Sequence, residues 1–299
     1  MKMRKRILAA AMAVGLGFGL AACGSDDGGS GSEGGGEASN EIKVGIIPSW
    51  TDYKSMGYLW KDLFEKEGYS VEIVELQDNA PLYTALANGD IDLMASSWPE
   101  VTHASYMEQY GEDIEDLSTW YDNAKLTMAV PSYTDIDSIE ELAGKEDQFG
   151  GRIVGIEPGA GLTEVTKDSV IPEYGLDDYE LVTSSTTAML AELKKATDAE
   201  QDIVVTLWRP FWANTAFPVK DLEDPKGALG ESEGLHVLGR IGFAEDYPEL
   251  AEMVGSIKLD DEQYGSLEDL VANKYADDPA AAIAEWLEAN PDFAESLKG

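Results

Sequence analysis

Cysteine and histidine are almost missing from this 299-residue chain, which has one of the first and two of the second. A single cysteine excludes an internal disulfide. Two histidines leave too little to assemble a Ser–His–acid set, no stretch has metal-ligand spacing, and no cofactor motif is complete. An enzyme is therefore not expected, nor a bound metal or cofactor. Cations are scarce too: 21 Lys+Arg stand against 58 Asp+Glu, a formal net charge of −37. Nucleic acid and anionic membrane surfaces both require clustered cations, so neither is expected as a partner. The acids read as a solvated surface, compatible with a cationic or zwitterionic ligand and with solubility in salty surroundings. With 43% hydrophobic and 26% charged residues the composition is globular. The length is enough to bury a large core in one or two domains.

Long apolar runs are also lacking, with one exception at the start. ILAAAMAVGLGFGLAA follows Lys2, Arg4, Lys5 and Arg6, the order of a positive region and an apolar core in a secretory signal. It is short for a membrane span and ends at Leu20-Ala21-Ala22-Cys23. That tetrapeptide resembles the lipobox of bacterial lipoproteins, which implies cleavage after residue 22 and acylation of Cys23. GSDDGGSGSEGGGEASN then reads as a flexible, acidic Gly/Ser tether. Residues 1–22 are thus expected to be a signal peptide and 23–40 the lipidated cysteine and its tether. Membrane contact is expected only through the lipid anchor, on the outer face of the cell membrane.

From Lys43 strand and helix patterns alternate. KVGII is a strand; Met56, Leu59, Trp60, Leu63 and Phe64 recur at helical spacing and stop at Gly68. VEIVEL, APLYTALANG and IDLM continue as strand, helix and strand. The order returns in RIVGI, a helix over about 162–174, YELV, a helix over 187–196, and IVVTL. Alternation of this kind predicts parallel sheets covered by helices. Two such units predict two α/β lobes. KLTMAVP (125–131) and LHVLGRIGF (235–243) are the strands expected to carry the chain across and back, with a cleft between the lobes. The helical C-terminus should pack on the first lobe, giving lobe 1 as 41–128 plus 237–299 and lobe 2 as 129–236. Asp137 and Glu140 suggest a capping box before a short helix, and ASSWPEVTH (95–103) reads as a loop too irregular for helix or strand.

In open α/β sheets ligands bind beyond the carboxyl ends of the strands. Trp50 follows KVGII, Trp98 follows IDLM, Trp208 follows IVVTL, and Gly159-Ala160-Gly161 follows RIVGI. The repeat puts these four points at corresponding places, so all should face one cleft. Indole faces attract cations that cannot form hydrogen bonds, above all quaternary ammonium groups. The amides of Gly161 and Leu162, at a helix start, favour an anion, and Pro158 and the glycines are read as a turn. His103, on the loop of Trp98, can donate to the same anion. A cation cage with donors for a carboxylate describes a zwitterion. Trp60 and Trp286 are read as core, while Trp120 and Trp212 are read as core with the cleft rim as the alternative.

The stretches SWPEVTH, IVGIEPGAGL, VVTLWRPFW, EDPKG and IGFAED together resemble the glycine betaine/proline betaine substrate-binding proteins of ABC importers, the OpuAC-like group, over about 41–250. The resemblance implies a type II periplasmic-binding-protein fold. It places the cage tryptophans on Trp50, Trp98 and Trp208, and the carboxylate donors on Gly161, Leu162 and His103. It also implies a betaine or related ligand, a permease with a separate ATPase chain as partners, and a monomer. Two departures bear on ligand choice: Arg209 and Phe211 replace the family's Thr and His, and Pro99 sits one place early. Choline, carnitine or another cationic or amino-acid-like solute is the alternative. Amino-acid and polyamine binders grip a primary ammonium with carboxylates; of such acids only Asp52 and Glu100 stand in the strand-end loops.

Overall fold

The computed structural model describes residues 40–296; the expected signal peptide, Cys23 and the expected tether lie outside them. The chain begins β1 (Glu41–Ile46), α1 (Thr51–Lys66), β2 (Ser70–Glu75), α2 (Asn79–Ala87), β3 (Leu93–Ser97), α3 (Ala104–Tyr110) and β4 (Ile114–Pro131). The order then repeats in β5 (Arg152–Val154), α4 (Gly161–Val165), α5 (Ile171–Tyr174), β6 (Glu180–Val182), α6 (Thr186–Asp198) and β7 (Val204–Arg209). After α7 (Ala213–Ala216) and β8 (Val219–Asp221), β9 (Glu233–Arg240) returns. The helices α8 (Phe243–Asp246), α9 (Pro248–Ser256), α10 (Asp261–Asp269), α11 (Pro279–Ala289) and α12 (Pro291–Ser296) follow.

β1 pairs in parallel with β2 and β3, and β5 pairs in parallel with β6 and β7. This is the duplicated unit that the alternation predicts. β4 joins the two: it runs antiparallel to β9 from Ile114 to Ala124 and antiparallel to β7 from Lys125 to Ala129. The strand order is therefore continuous, β2-β1-β3-β9-β4-β7-β5-β6. Two α/β lobes share one long strand and are crossed again ahead of β9. α10 and α11 pack on α1, which closes the first lobe.

Local chemistry explains most of these elements. α1 buries Met56, Leu59, Trp60, Leu63 and Phe64 on one face, with Asp52 in its first turn and Lys66 in its last, both signs matching the helix dipole. Gly68, at φ +94°, ends it. Trp60 is fully buried and its indole N–H donates to the Ala95 carbonyl at 3.3 Å. Trp286 is buried likewise, donating to Gln263 O and Ser266 Oγ.

Three expectations need correction. Ala95–Ser97 belong to β3, because all of Leu93–Ser97 is buried between β1 and β9. β3 falls out of register with β9 between Met94 and Ser97, which hides the strand from a pattern reading. β4 starts at Ile114, not near Lys125. Its register with β9 shifts three times and Asn123 sits at φ +81°, so bulges break the alternation of STWYDN. Trp120 is consequently core, with its ring 5.2 Å from Tyr264 and 5.9 Å from Tyr121. The capping box lies one residue on, between Ser138 and Glu141, and heads a short 3-10 turn.

Trp60→Ala removes a buried indole and its hydrogen bond. It should cost about 3–5 kcal/mol in denaturant unfolding; a loss below about 1 kcal/mol would contradict this packing.

Candidate ligand-binding cleft

A small cavity of about 30 Å³ lies between the lobes, lined by residues of both. From the first lobe come Trp50, at the N-cap of α1, Asp52 in the first turn, and Trp98, Thr102 and His103 on the loop after β3. From the second come Ile156, Ala160, Gly161 and Leu162 at the start of α4, and Trp208. Leu126 of β4 is the cross-strand partner of Trp208 and completes the wall. The six residues singled out from the sequence all line this one cavity. Trp208 lies within β7, one residue from its end, rather than beyond it.

Carboxylates fix the indoles. The Trp98 indole N–H donates to Asp52 Oδ2 at 3.1 Å, and Ser96 Oγ donates to the same oxygen at 2.9 Å. The Trp50 N–H is shared between Glu157 Oε2 and Thr186 Oγ1, both at 3.1 Å. Glu157 also accepts from Ser49 Oγ, from the Thr186 amide and from the Thr186 hydroxyl, so one buried acid binds a first-lobe loop to the second lobe. Phe211 stacks behind Trp208, centroids 4.0 Å apart and planes 17° apart. Arg209 forks onto Asp221 at 2.6 and 3.0 Å and does not line the cavity. Trp212 does not line it either, packing on Phe211 and Phe217.

The glycine loop works by close approach rather than by left-handed turns. A Cβ on Gly161 would stand 1.8 Å from the Thr102 carbonyl oxygen, and one on Gly159 would stand 2.6 Å from an Asp78 carboxylate oxygen. Neither glycine has a positive φ. Asp78 caps α2 through Asn79 N and also accepts from Gly159 N at 3.1 Å, while Tyr106 donates to Gly159 O at 2.9 Å. These contacts seal the lobes on one side of the cavity. α4 continues through a π turn into α5, so Gly161 opens a helical segment reaching Tyr174. Among the described residues no acceptor takes the main-chain N–H of Gly161 or Leu162.

His103 is fully enclosed. Burial pushes its pKa down from 6.5 to about 3, so the ring is neutral. Nδ1 accepts from the Trp98 amide at 3.1 Å, which puts the one ring proton on Nε2. Nε2 lies 2.9 Å from Asn79 Nδ2, whose Oδ1 accepts from the Tyr53 hydroxyl at 3.3 Å; with the proton on Nε2 the carboxamide must be turned to offer its oxygen to the ring. A ligand carboxylate would have to share or displace this partner. Asp52 is the main lining residue that the sequence left without a role. Its carboxyl is pushed above the usual range by burial, partly offset by bonds from Trp98 and Ser96. Its position two residues after Trp50 was the available signal. Asn79 and Thr186 carried none, because they act from distant segments, whereas Glu157 stands in the glycine loop itself, directly after RIVGI.

The family model for the substrate-binding domain of ABC-type glycine betaine transport systems matches residues 40–289. A glycine betaine/carnitine transport binding protein, GbuC, of Listeria monocytogenes is 38% identical over 148 residues, 49% of this chain and 48% of that relative's length. The crystal structure of a glycine betaine, L-proline ABC transporter binding protein, ProX, from Borrelia burgdorferi superposes with a TM-score of 0.80. It is 32% identical, covering 86% of this chain and 96% of that one. Lactococcal OpuAC, closed and complexed with glycine betaine, gives a TM-score of 0.79 at 28% identity, covering 86% and 98%.

The neutral state of His103 is directly measurable. Its imidazole resonances should stay unprotonated at about pH 5, where an ordinary histidine is mostly charged. The unfolded ring takes a proton near 6.5 and the folded ring near 3. This residue therefore makes the fold lose stability as pH falls through that window. A folded-state midpoint near 6 would refute the buried, neutral assignment.

Proposed function

Because the chain belongs to the family of substrate-binding domains of ABC-type glycine betaine transport systems, we propose that it captures a quaternary-ammonium solute, glycine betaine or a related betaine, outside the cytoplasm. It then delivers that solute to a membrane permease whose ATPase is a separate chain. The observation that carries this reading is the convergence of three tryptophans from both lobes on one cavity that also holds two unspent main-chain amides.

The ammonium methyls would sit against Trp50, Trp98 and Trp208, each contact contributing roughly 0.5–2 kcal/mol depending on desolvation. Asp52 would add negative charge from the cavity wall. The carboxylate would take the N–H groups of Gly161 and Leu162 and compete with Asn79 for the Nε2 proton of His103. No bond is made or broken; the work is selection and closure. A ligand touched by both lobes, taken as 41–128 plus 237–299 and 129–236, stabilises the closed arrangement over the open one. The closed form is what the permease would recognise, with the protein acting as a monomer tethered through Cys23. The lactococcal relative, whose structure holds glycine betaine in a closed form, supports this ligand class.

Asp52 favours a second reading. A buried carboxyl beside the indoles suits a net cation such as choline, which would leave Gly161, Leu162 and His103 without a partner.

Calorimetric titration of residues 41–299 with glycine betaine and, separately, choline decides between the two. One-to-one binding of the betaine alone is expected; equal binding of choline would remove the anion pocket, and no heat from either would remove the cage. Trp98→Ala and Trp208→Ala should each weaken betaine binding at least about tenfold. Unchanged affinity in both would overturn the cage.

A further inference from the structure

The second histidine has no part in the cavity, yet it lies behind the loop that does. His236 is on β9, where its sheet neighbours are Ser97, the last residue of β3, and Thr119 of β4. Its ring stands between two carboxylates. Nδ1 is 2.8 and 3.0 Å from the oxygens of Asp116 on β4, and Nε2 is 2.9 Å from Oε1 of Glu100. A neutral imidazole has one N–H and can donate at only one end. Donation to carboxylates at both ends requires the imidazolium. Thr119 Oγ1, 3.2 Å from Nε2, is the remaining polar neighbour of the ring.

Glu100 sits in the middle of the loop Trp98–His103. The same loop is held a second time by β9: Glu233 accepts from the amides of Val101 and Thr102 and from the Thr102 hydroxyl. β9 thus grips the loop at three successive residues, twice through main-chain amides and once through a side-chain ion pair. The first two grips do not depend on His236. The third loses its charge, and the ring one of its two donated bonds, when the imidazolium gives up its proton, and Glu233, itself an acid facing Glu100, then adds repulsion.

We infer that His236 is a positioning residue for the ligand cavity: as a cation it ties Glu100 to β9 and β4, holding Trp98 and His103 in register with the opposite lobe. This role rests on the proposed function for its consequence, though not for its geometry. Burial pushes the ring's pKa down, but Asp116 and Glu100 outweigh it and hold it above the ordinary 6.5. The tie is therefore complete at and below 6.5 and is released as pH rises through the raised value. The His236 side chain is 11% exposed, but Glu100 and Asp116 are 50% and 48% exposed. Solvent screening therefore limits the effect to about threefold to fivefold.

The test uses the full chain, His236→Gln and Glu100→Gln. With histidine-labelled protein, the His236 imidazole should titrate above 6.5, and Glu100→Gln should lower its midpoint. Hydrogen-exchange protection of the Val101–His103 amides, without ligand, should fall about threefold to fivefold as wild type passes through that midpoint, and should stay flat in both variants. Glycine betaine affinity should weaken by the same factor between about pH 6 and pH 9 in wild type alone. Loop protection unchanged across the His236 titration, or an unaltered profile in Glu100→Gln, would overturn the inference. Absence of betaine binding at every pH would defeat the functional reading, while the exchange pattern would still decide the tie.

Discussion

Only a hydrogen atom fits between the Gly161 Cα and the carbonyl oxygen of Thr102. That contact brings the second lobe's helix start against the first lobe's Trp98–His103 loop, and most of the cavity's geometry follows from it. It sets two unspent amides beside Trp98 and His103. It also lets Glu157 reach Trp50 and Ser49, and Asp78 reach Gly159, across the same seam. A side chain at Gly161 would push the lobes apart and separate the tryptophans that depend on both.

The acids inside this seam show why a strongly acidic chain can keep carboxylates in its interior. Asp52, Glu157 and Glu233 each accept from at least three donors or from one indole and a hydroxyl. Burial pushes Asp52 and Glu233 above the usual carboxylate range, and Glu268, bonded to Thr51, up to about 7. Leaving any of them unpartnered would cost more than the bond itself contributes. Each one therefore fixes its donor: Asp52 the Trp98 indole, Glu157 the Trp50 indole, Glu233 the loop amides. The Trp50 and Trp98 indoles are aimed by buried carboxylates as much as by packing.

The same logic separates the two histidines. His103 has no carboxylate at either nitrogen and is held neutral by burial. His236 has one at each end, and they push its pKa up against burial. His103 ends the six-residue loop and lines the cavity, His236 lies behind that loop in the sheet, and their neighbours push their pKa values in opposite directions.

By itself the sequence determined the duplicated strand–helix order, the two crossings, and the six residues that reach the cavity, because strand ends converge wherever parallel units are built. Hydrophobic period also placed Trp60 and Trp286 in the core. It did not reveal that β3 runs through Ala95–Ser97 or that β4 starts at Ile114, since bulges shift the pairing and erase the alternation that a pattern reading needs. Nor did it reveal the roles of Asn79, Asp78, Glu157 and Glu233, or why Gly159 and Gly161 are glycine. Those depend on which distant segments end up within hydrogen-bond reach, and a bond between residues 107 positions apart, as from Trp50 to Glu157, leaves no periodic trace along the chain. Local pattern fixed where the cavity residues stand; only the tertiary structure decided what holds them there.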